Sequence, residues 1–279
     1  CRESGVMVAV MGLDASLEGE EGDTGNEYGS GDKPDLRLPG LQHDILKLAK
    51  ESGKPVILVL LTGSAMAVTW EDENLDAILQ GWYPGAQGGA AIAWILFGEV
   101  NPEGKLPITF YRTTEELPDF EDYSMQGRTY RYMEDKPLYP FGYGLSYTQY
   151  AYSDLAFTQE KPDINAGVTV QFTVTNTGER DGMETVQVYV KAKRKGAPNA
   201  QLKGINKVYL KAGESRQCQI ELPREAFMLY DKNGINKIAG HEYEISVGGS
   251  QPDARSEELT GCRTERLTCF YDGALDAEE

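Results

Sequence analysis

The sequence predicts an α/β unit built on a parallel sheet, followed by an all-β antiparallel sandwich. Three observations carry that reading. Wholly apolar runs at Val6–Met11 and Val56–Leu61 alternate with a helical pattern at Leu41–Ala49, as expected of a parallel sheet covered on both faces by helices. A glycine-rich turn (Gly85, Gly88, Gly89) joins a short strand, Ala77–Leu79, to a small-residue helix. From Tyr152 onward the hydrophobic period changes to two, which marks half-buried antiparallel strands.

Taken in order, Val6–Met11 reads as a central strand of the buried, parallel type that here lacks its N-terminal neighbours and so leaves an apolar sheet edge or face uncovered, and an acidic, glycine-rich loop follows from about Asp14 to Asp35. The apolar spacing of Leu41, Ile45, Leu48 and Ala49 predicts a helix that Gly53 and Pro55 stop. Val56–Leu61 is the second strand and ends in Thr62-Gly63-Ser64; Ala77–Leu79 is the third and ends in Trp82-Tyr83-Pro84. Asn101-Pro102-Glu103-Gly104 then turns the chain into a further strand, Leu106–Tyr111. Residues 113–151 have little periodicity and many aromatics, a linker wedged between domains. Strands follow at Val168–Thr175, Val186–Val190, Gln217–Leu222 and Glu242–Val247. The domain boundaries are therefore 1–112, 113–151, 152–252, and a patternless polar tail over 253–279.

The 279 residues carry 27 basic and 44 acidic side chains, a formal charge of −17. In the linear sequence no Lys/Arg cluster carries aromatics on a basic face. That leaves counterion release, the main source of nucleic-acid affinity, little to act on, and it sets the surface against anionic membranes. No apolar run approaches the length that spans a bilayer. Cys1, Cys218, Cys262 and Cys269 include no CxxC and no paired histidine, which argues against zinc. Cys262 and Cys269 are close enough in sequence to pair, and free thiols are the favoured reading. The chain starts on Cys1 and runs at once into an apolar strand, as a fragment would, so the lack of a visible signal peptide carries no weight.

Phosphate chemistry fails at the glycine turn, because neither Gly-Lys-Ser/Thr nor GxGxxG is present. Ligands of such sheets gather at the carboxyl ends of the strands, here Gly12-Leu13-Asp14, Thr62-Gly63-Ser64 and Trp82-Tyr83-Pro84. The loop after the first strand holds Asp14, Glu18, Glu20, Glu21, Asp23, Glu27, Asp32 and Asp35. It has no EF-hand register. It is either a solvated acidic turn or a set of crowded carboxylates, one of which is pushed toward neutrality by its neighbours and works as a general acid. Ser64 lacks a G-x-S-x-G setting. His43, mid-helix, reads as a surface residue, and His241 as a turn residue. Trp82 and Tyr83 are either sugar-stacking planes or buried rim aromatics. Arg128 and Arg131 read as staples of the linker, with bidentate recognition of acidic groups as the alternative.

Beyond these residue-level readings, AILQGWYPGAQGGAAIAWILFGEVNPEGKLPITFY (Ala77 to Tyr111), GRTYRY and PLYPFGYGLSY resemble the C-terminal α/β domain of glycoside hydrolase family 3, the β-glucosidases and β-xylosidases. VTNTGERDG, LKGINKVYLKAGES and AGHEYEISVGGSQPD resemble the fibronectin type III-like module that closes many of these enzymes. The resemblance covers about residues 5–250 and implies a partial α/β sandwich domain followed by a fibronectin type III-like β-sandwich. It implies a retaining exo-β-glycosidase acting on terminal xylose or glucose of an oligosaccharide, with no cofactor and a periplasmic or extracellular location. The general acid/base then comes from the acidic loop: Glu20 first, then Glu18, then Glu21. Relatives follow that acid with Asp-Arg, where this chain has Asp32-Lys33. The second carboxylate, ~5–5.5 Å from the acid in a retaining enzyme, belongs in the family to an N-terminal barrel of ~250 residues, a partner outside this chain. A homo-oligomer is a further possible partner. The competing reading is a non-catalytic carbohydrate-binding or structural module of the same architecture.

Overall fold

The computed structural model describes residues 4–18, 33–119 and 121–275. The chain divides into two compact units, residues 1–100 with 110–123, and residues 101–109 with 124–279.

The first unit is a parallel three-stranded sheet in the order β1 (Met7–Gly12), β2 (Val56–Leu61), β3 (Ala77–Gln80). A one-turn helix, α1 (Ala15–Glu18), follows β1; α2 (Gln42–Glu51) leads into β2, α3 (Thr69–Asn74) into β3, and α4 (Gly88–Leu96) follows the glycine turn. β2 lies between its two neighbours, and Val56, Leu58, Val59 and Leu60 are fully buried. Among the described residues β1 is an edge strand, with Val8 and Val10 47% and 58% exposed, which is the uncovered apolar edge expected of it. An all-apolar run does not reveal how many neighbours it will have, and only half of this one is covered here. Leu41, Ile45 and Leu48 of the adjoining helical segment are exposed too.

The expected strand over Leu106–Tyr111 does not form. Pro107 can donate nothing to a ladder, and the segment is divided between the units at Phe110. Leu106 instead exchanges backbone hydrogen bonds with Gly142 and Tyr143 at 2.7 and 2.8 Å.

The second unit begins with residues 101–109 and, after the chain returns to it at Ser124, a short helix, α5 (Thr129–Tyr132). Its sandwich pairs β4 (Tyr150–Phe157), β5 (Val168–Asn176) and β8 (Ser215–Leu222) in one antiparallel sheet. The other holds β6 (Gly182–Ala192), β7 (Gln201–Leu210), β11 (Glu242–Gly248) and β12 (Glu265–Phe270) in the order β12-β11-β6-β7. A hairpin of β9 (Met228–Tyr230) and β10 (Asn236–Ile238) flanks them. Val168, Val170, Phe172 and Val174 alternate into the core against Val186, Val188, Ile245 and Val247. The period-two pattern thus converts directly into burial.

The polar tail expected over 253–279 is wrong for its described part. Asp253 caps α6 (Ala254–Thr260) by accepting from the Ser256 amide at 2.7 Å, and Gly261 ends that helix in the left-handed conformation. β12 then pairs along β11 and buries Cys269. Cys218, Cys262 and Cys269 are free thiols; the Cys262 thiol donates to the Tyr150 carbonyl at 3.2 Å. Burial pushes the Cys269 thiol up to about 11.

From residue 124 onward the aromatic segment belongs to the second unit. Tyr130 stacks on Phe141 at 4.1 Å, and Phe141 meets Tyr189 edge-on at 6.5 Å. Lys105 reaches the interior, 3.6 Å from Glu184, whose other oxygen accepts from Tyr152 at 2.7 Å.

Candidate active-site loop

The carboxyl ends of the three strands meet around one side chain, Glu18. Gly12 ends β1 at φ 141°, where a Cβ would fall 1.9 Å from the Leu61 carbonyl oxygen, so only glycine fits between the strands. The Gln42 amide clasps it from the other side, accepting from the Gly12 amide and donating to its carbonyl, both at 2.8 Å. The chain then turns at Asp14, whose carboxylate accepts from the Ser16 hydroxyl, the Ser16 amide and the Leu17 amide at 2.6, 2.8 and 3.2 Å. Those bonds favour the charged form and hold Asp14 below the usual carboxylate range.

The resulting turn delivers Glu18 to the next two strand ends. Its Oε1 accepts from the Gly63 amide and from the Tyr83 hydroxyl, each at 2.8 Å, and its Oε2 from the Ser64 hydroxyl at 3.2 Å. A Cβ on Gly63 would stand 2.8 Å from the Tyr83 ring and 3.0 Å from Glu18 Oε1, so this glycine opens the space that the carboxylate fills. Thr62, fully buried, supports the turn by donating to the Ser64 carbonyl at 2.8 Å. Burial, and then the bond to Glu18, push the Tyr83 phenol up to about 12, so it stays a neutral donor.

The Tyr83 hydroxyl is thereby committed to Glu18, while the residue stays half exposed. Trp82 packs edge-on against Phe110, with ring centroids 6.3 Å apart. Its φ of 52° is a costly conformation for a bulky residue, the kind of local strain that gathers at functional turns. Lys33 returns beside this region, its Nζ 3.3 Å from the sulfur of the buried Met66. Burial lowers the Lys33 pKa, against the raising influence of Glu18 and Asp35. Glu20 and Glu21 lie outside the described residues. Among the described residues no group of His, Cys, Asp and Glu could hold a metal ion.

His43 is neither mid-helix nor a plain surface residue. It lies in the first turn of α2, and its Nδ1 is 2.6 Å from a carboxylate oxygen of Glu71, which is 2% exposed. Periodicity gave no sign of Glu71, because α3 is too short to show a pattern. Arg131 donates to Gln201 at 2.8 Å, which fits the staple reading. His241 sits in the turn before β11 as expected, with Nδ1 2.9 Å from the Tyr271 carbonyl oxygen.

The model of the glycosyl hydrolase family 3 C-terminal domain matches residues 1–147, more than half of the chain. The chain belongs to glycosyl hydrolase family 3. Residues 184–251 match the fibronectin type III-like domain. A xylan 1,4-β-xylosidase of Xylanibacter ruminicola is 42% identical over 89% of this chain and 29% of its own length. A periplasmic β-glucosidase of Salmonella typhimurium is 35% identical over 88% of this chain and 33% of its own. Among solved structures, the GH3 β-glucosidase of Bifidobacterium adolescentis superposes on the whole chain with a TM-score of 0.81 at 29% identity, using 41% of its own length. The chain thus spans about a third of the length of the curated relatives it matches.

Proposed function

We propose that this family-3 chain is the C-terminal part of a retaining exo-β-glycosidase that removes terminal β-linked xylose or glucose from oligosaccharides. The chain supplies the general acid/base from the loop after β1. The nucleophile comes from the barrel domain of the longer protein, and the enzyme works outside the cytoplasm.

The observation that carries this reading is the anchoring of Glu18. Its carboxylate accepts from Gly63, Tyr83 and Ser64, which ties the acidic loop to the carboxyl ends of β2 and β3. Both oxygens of Glu18 are thus occupied by groups of its own chain. Glu18 is therefore the anchor, and Glu20, two residues on, is the acid/base.

The test uses the longer enzyme that contains this chain. Glu20→Ala cuts turnover on substrates with poor leaving groups by a factor on the order of 10²–10⁴, the usual worth of general acid catalysis, and spares activated aryl glycosides. Glu18→Ala lowers activity on both substrate classes alike, through loss of the loop position. If Glu18→Ala shows the leaving-group dependence and Glu20→Ala does not, the roles are reversed.

A further inference from the structure

A cavity of about 440 Å³ opens in the first unit between the first turn of α2, the start of α3 and the segment after Phe110. That size is usual for a small-ligand site. Asp35 and Arg37 form one wall, His43 a second, Trp70 and Glu71 a third, and residues 112–115 the last. Hydrogen bonds tie these walls together. The Ala67 amide donates to the Leu36 carbonyl at 2.7 Å, the Leu36 amide to the Thr114 hydroxyl at 3.0 Å, and the Thr69 hydroxyl to the Arg112 carbonyl at 2.7 Å. The cavity is therefore built into the fold. Because α2 and α3 each lead into the next parallel strand, their first turns lie at the carboxyl end of the sheet, where ligands of such sheets gather.

The charged groups of the wall are matched among themselves. Arg37 donates from Nε and Nη2 to Asp35 at 3.1 and 2.6 Å, and His43 Nδ1 lies 2.6 Å from Glu71, a carboxylate 2% exposed. With Arg112 and Glu115, two permanent cations face three carboxylates and one imidazole, and a carboxylate in excess is offset by the imidazole that Glu71 meets. An ion of either sign finds no surplus to claim. A neutral polyol is suited to such a wall, because a sugar hydroxyl both donates and accepts. It can bridge a guanidinium and its carboxylate where an ion would have to displace one of them. Trp70 adds an aromatic surface to the same wall. The His43 ring meets it edge-on at 5.2 Å, and Lys47 stands over one face with Nζ 5.7 Å from the ring centre. Aromatic planes favour the C–H-rich side of a sugar ring.

We propose that this cavity binds one neutral pyranose unit of a β-linked xylose or glucose oligosaccharide, with Asp35, Arg37 and Glu115 on its hydroxyls and the Trp70 face opposite Lys47 against its apolar side. The choice of sugar rests on the glycosidase reading above, but binding is read without turnover, so the failure of one is distinguishable from the failure of the other.

The test is titration of the purified 279-residue chain with xylohexaose and cellohexaose, followed by tryptophan fluorescence and by calorimetry. At least one of the two should bind with a dissociation constant of ~1 mM or less and change the emission. Trp70→Ala should raise that constant roughly tenfold through the lost stacking surface, and Trp70→Phe, which keeps a ring, should raise it less. Glu115→Gln, at an exposed position that folding does not need, should raise it several-fold, since a charge-assisted bond is lost. Trp94→Ala, which removes a 49% exposed indole from the same unit, should leave it unchanged. Raising salt from about 0.05 to 0.5 M should change it less than about twofold, because the ligand carries no charge to screen. The proposal is overturned if neither hexasaccharide binds at about 10 mM, if Trp70→Ala and Glu115→Gln bind like wild type, or if Trp94→Ala loses as much as Trp70→Ala. An oligogalacturonide bound more tightly than both, with strong salt dependence, would also overturn it, as a site for acidic sugars.

Discussion

Replacing Lys105 with methionine should destabilise the second unit by about 3–5 kcal/mol, the usual cost of removing one partner from a buried ion pair. Lys105 is 15% exposed and Glu184 4%, with the charged atoms 3.6 Å apart. At that separation Coulomb's law with an effective dielectric constant of ~20 gives roughly 4–5 kcal/mol, which agrees. Methionine preserves most of the packing of the lysine stem but leaves Glu184 to the Tyr152 hydroxyl, without a cation to balance it. The melting temperature of a unit this size should fall by about 10 °C. The assay is urea unfolding followed by far-ultraviolet circular dichroism. Tryptophan fluorescence is read in parallel, because Trp70, Trp82 and Trp94 all lie in the first unit. Lys105→Met/Glu184→Gln removes the orphaned charge and should recover at least half of the loss. A loss below about 1 kcal/mol, or strict additivity of the two single substitutions, would refute the reasoning.

Three further outcomes are expected. The purified chain should not hydrolyse aryl β-xylosides or β-glucosides, because its nucleophile is placed on another domain; sustained turnover free of contaminating enzyme would overturn that assignment. With the Tyr83 pKa raised from 10.0 to about 12, the neutral phenol is the favoured folded form. The associated stability is present below pH ~10 and is lost as pH rises toward ~12; ultraviolet titration of wild type against Tyr83→Phe should show one late-ionising phenol missing from the variant. The β1 edge, with Val8 and Val10 exposed, should drive self-association of the isolated chain. Val10→Lys should shift sedimentation toward monomer, and an unchanged distribution would show that this edge is not the contact.

Much of the fold was legible in the sequence wherever burial follows a simple period. Val168 to Asn176 alternates cleanly because one face of β5 lies in the core. β7 escaped notice, since Gly204 interrupts it and Ile205 faces solvent. β12 was hidden by its polar residues, as an edge strand with one wet face can be. The uncovered edge of β1 was expected, although a strand's neighbours, not its own residues, decide whether both faces are covered. The strand-end rule singled out Gly12, Thr62-Gly63-Ser64 and Tyr83, and the last two strand ends do gather around Glu18. It could not assign Glu18 its partners, which lie 45 to 65 positions away. The Lys105–Glu184 and His43–Glu71 pairs were equally out of reach, because each joins segments with no shared pattern in sequence.

The most direct measurement of the central claim is the product that the longer enzyme's Glu20→Ala variant makes with an activated aryl β-xyloside in the presence of azide. With the acid/base removed, azide needs no general base to attack the glycosyl-enzyme. Proton NMR of the reaction mixture should then show β-xylosyl azide, the anomer of net retention, formed together with rescued turnover. Rescue with the α-azide, or no azide product from Glu20→Ala while Glu18→Ala gives it, would contradict the account.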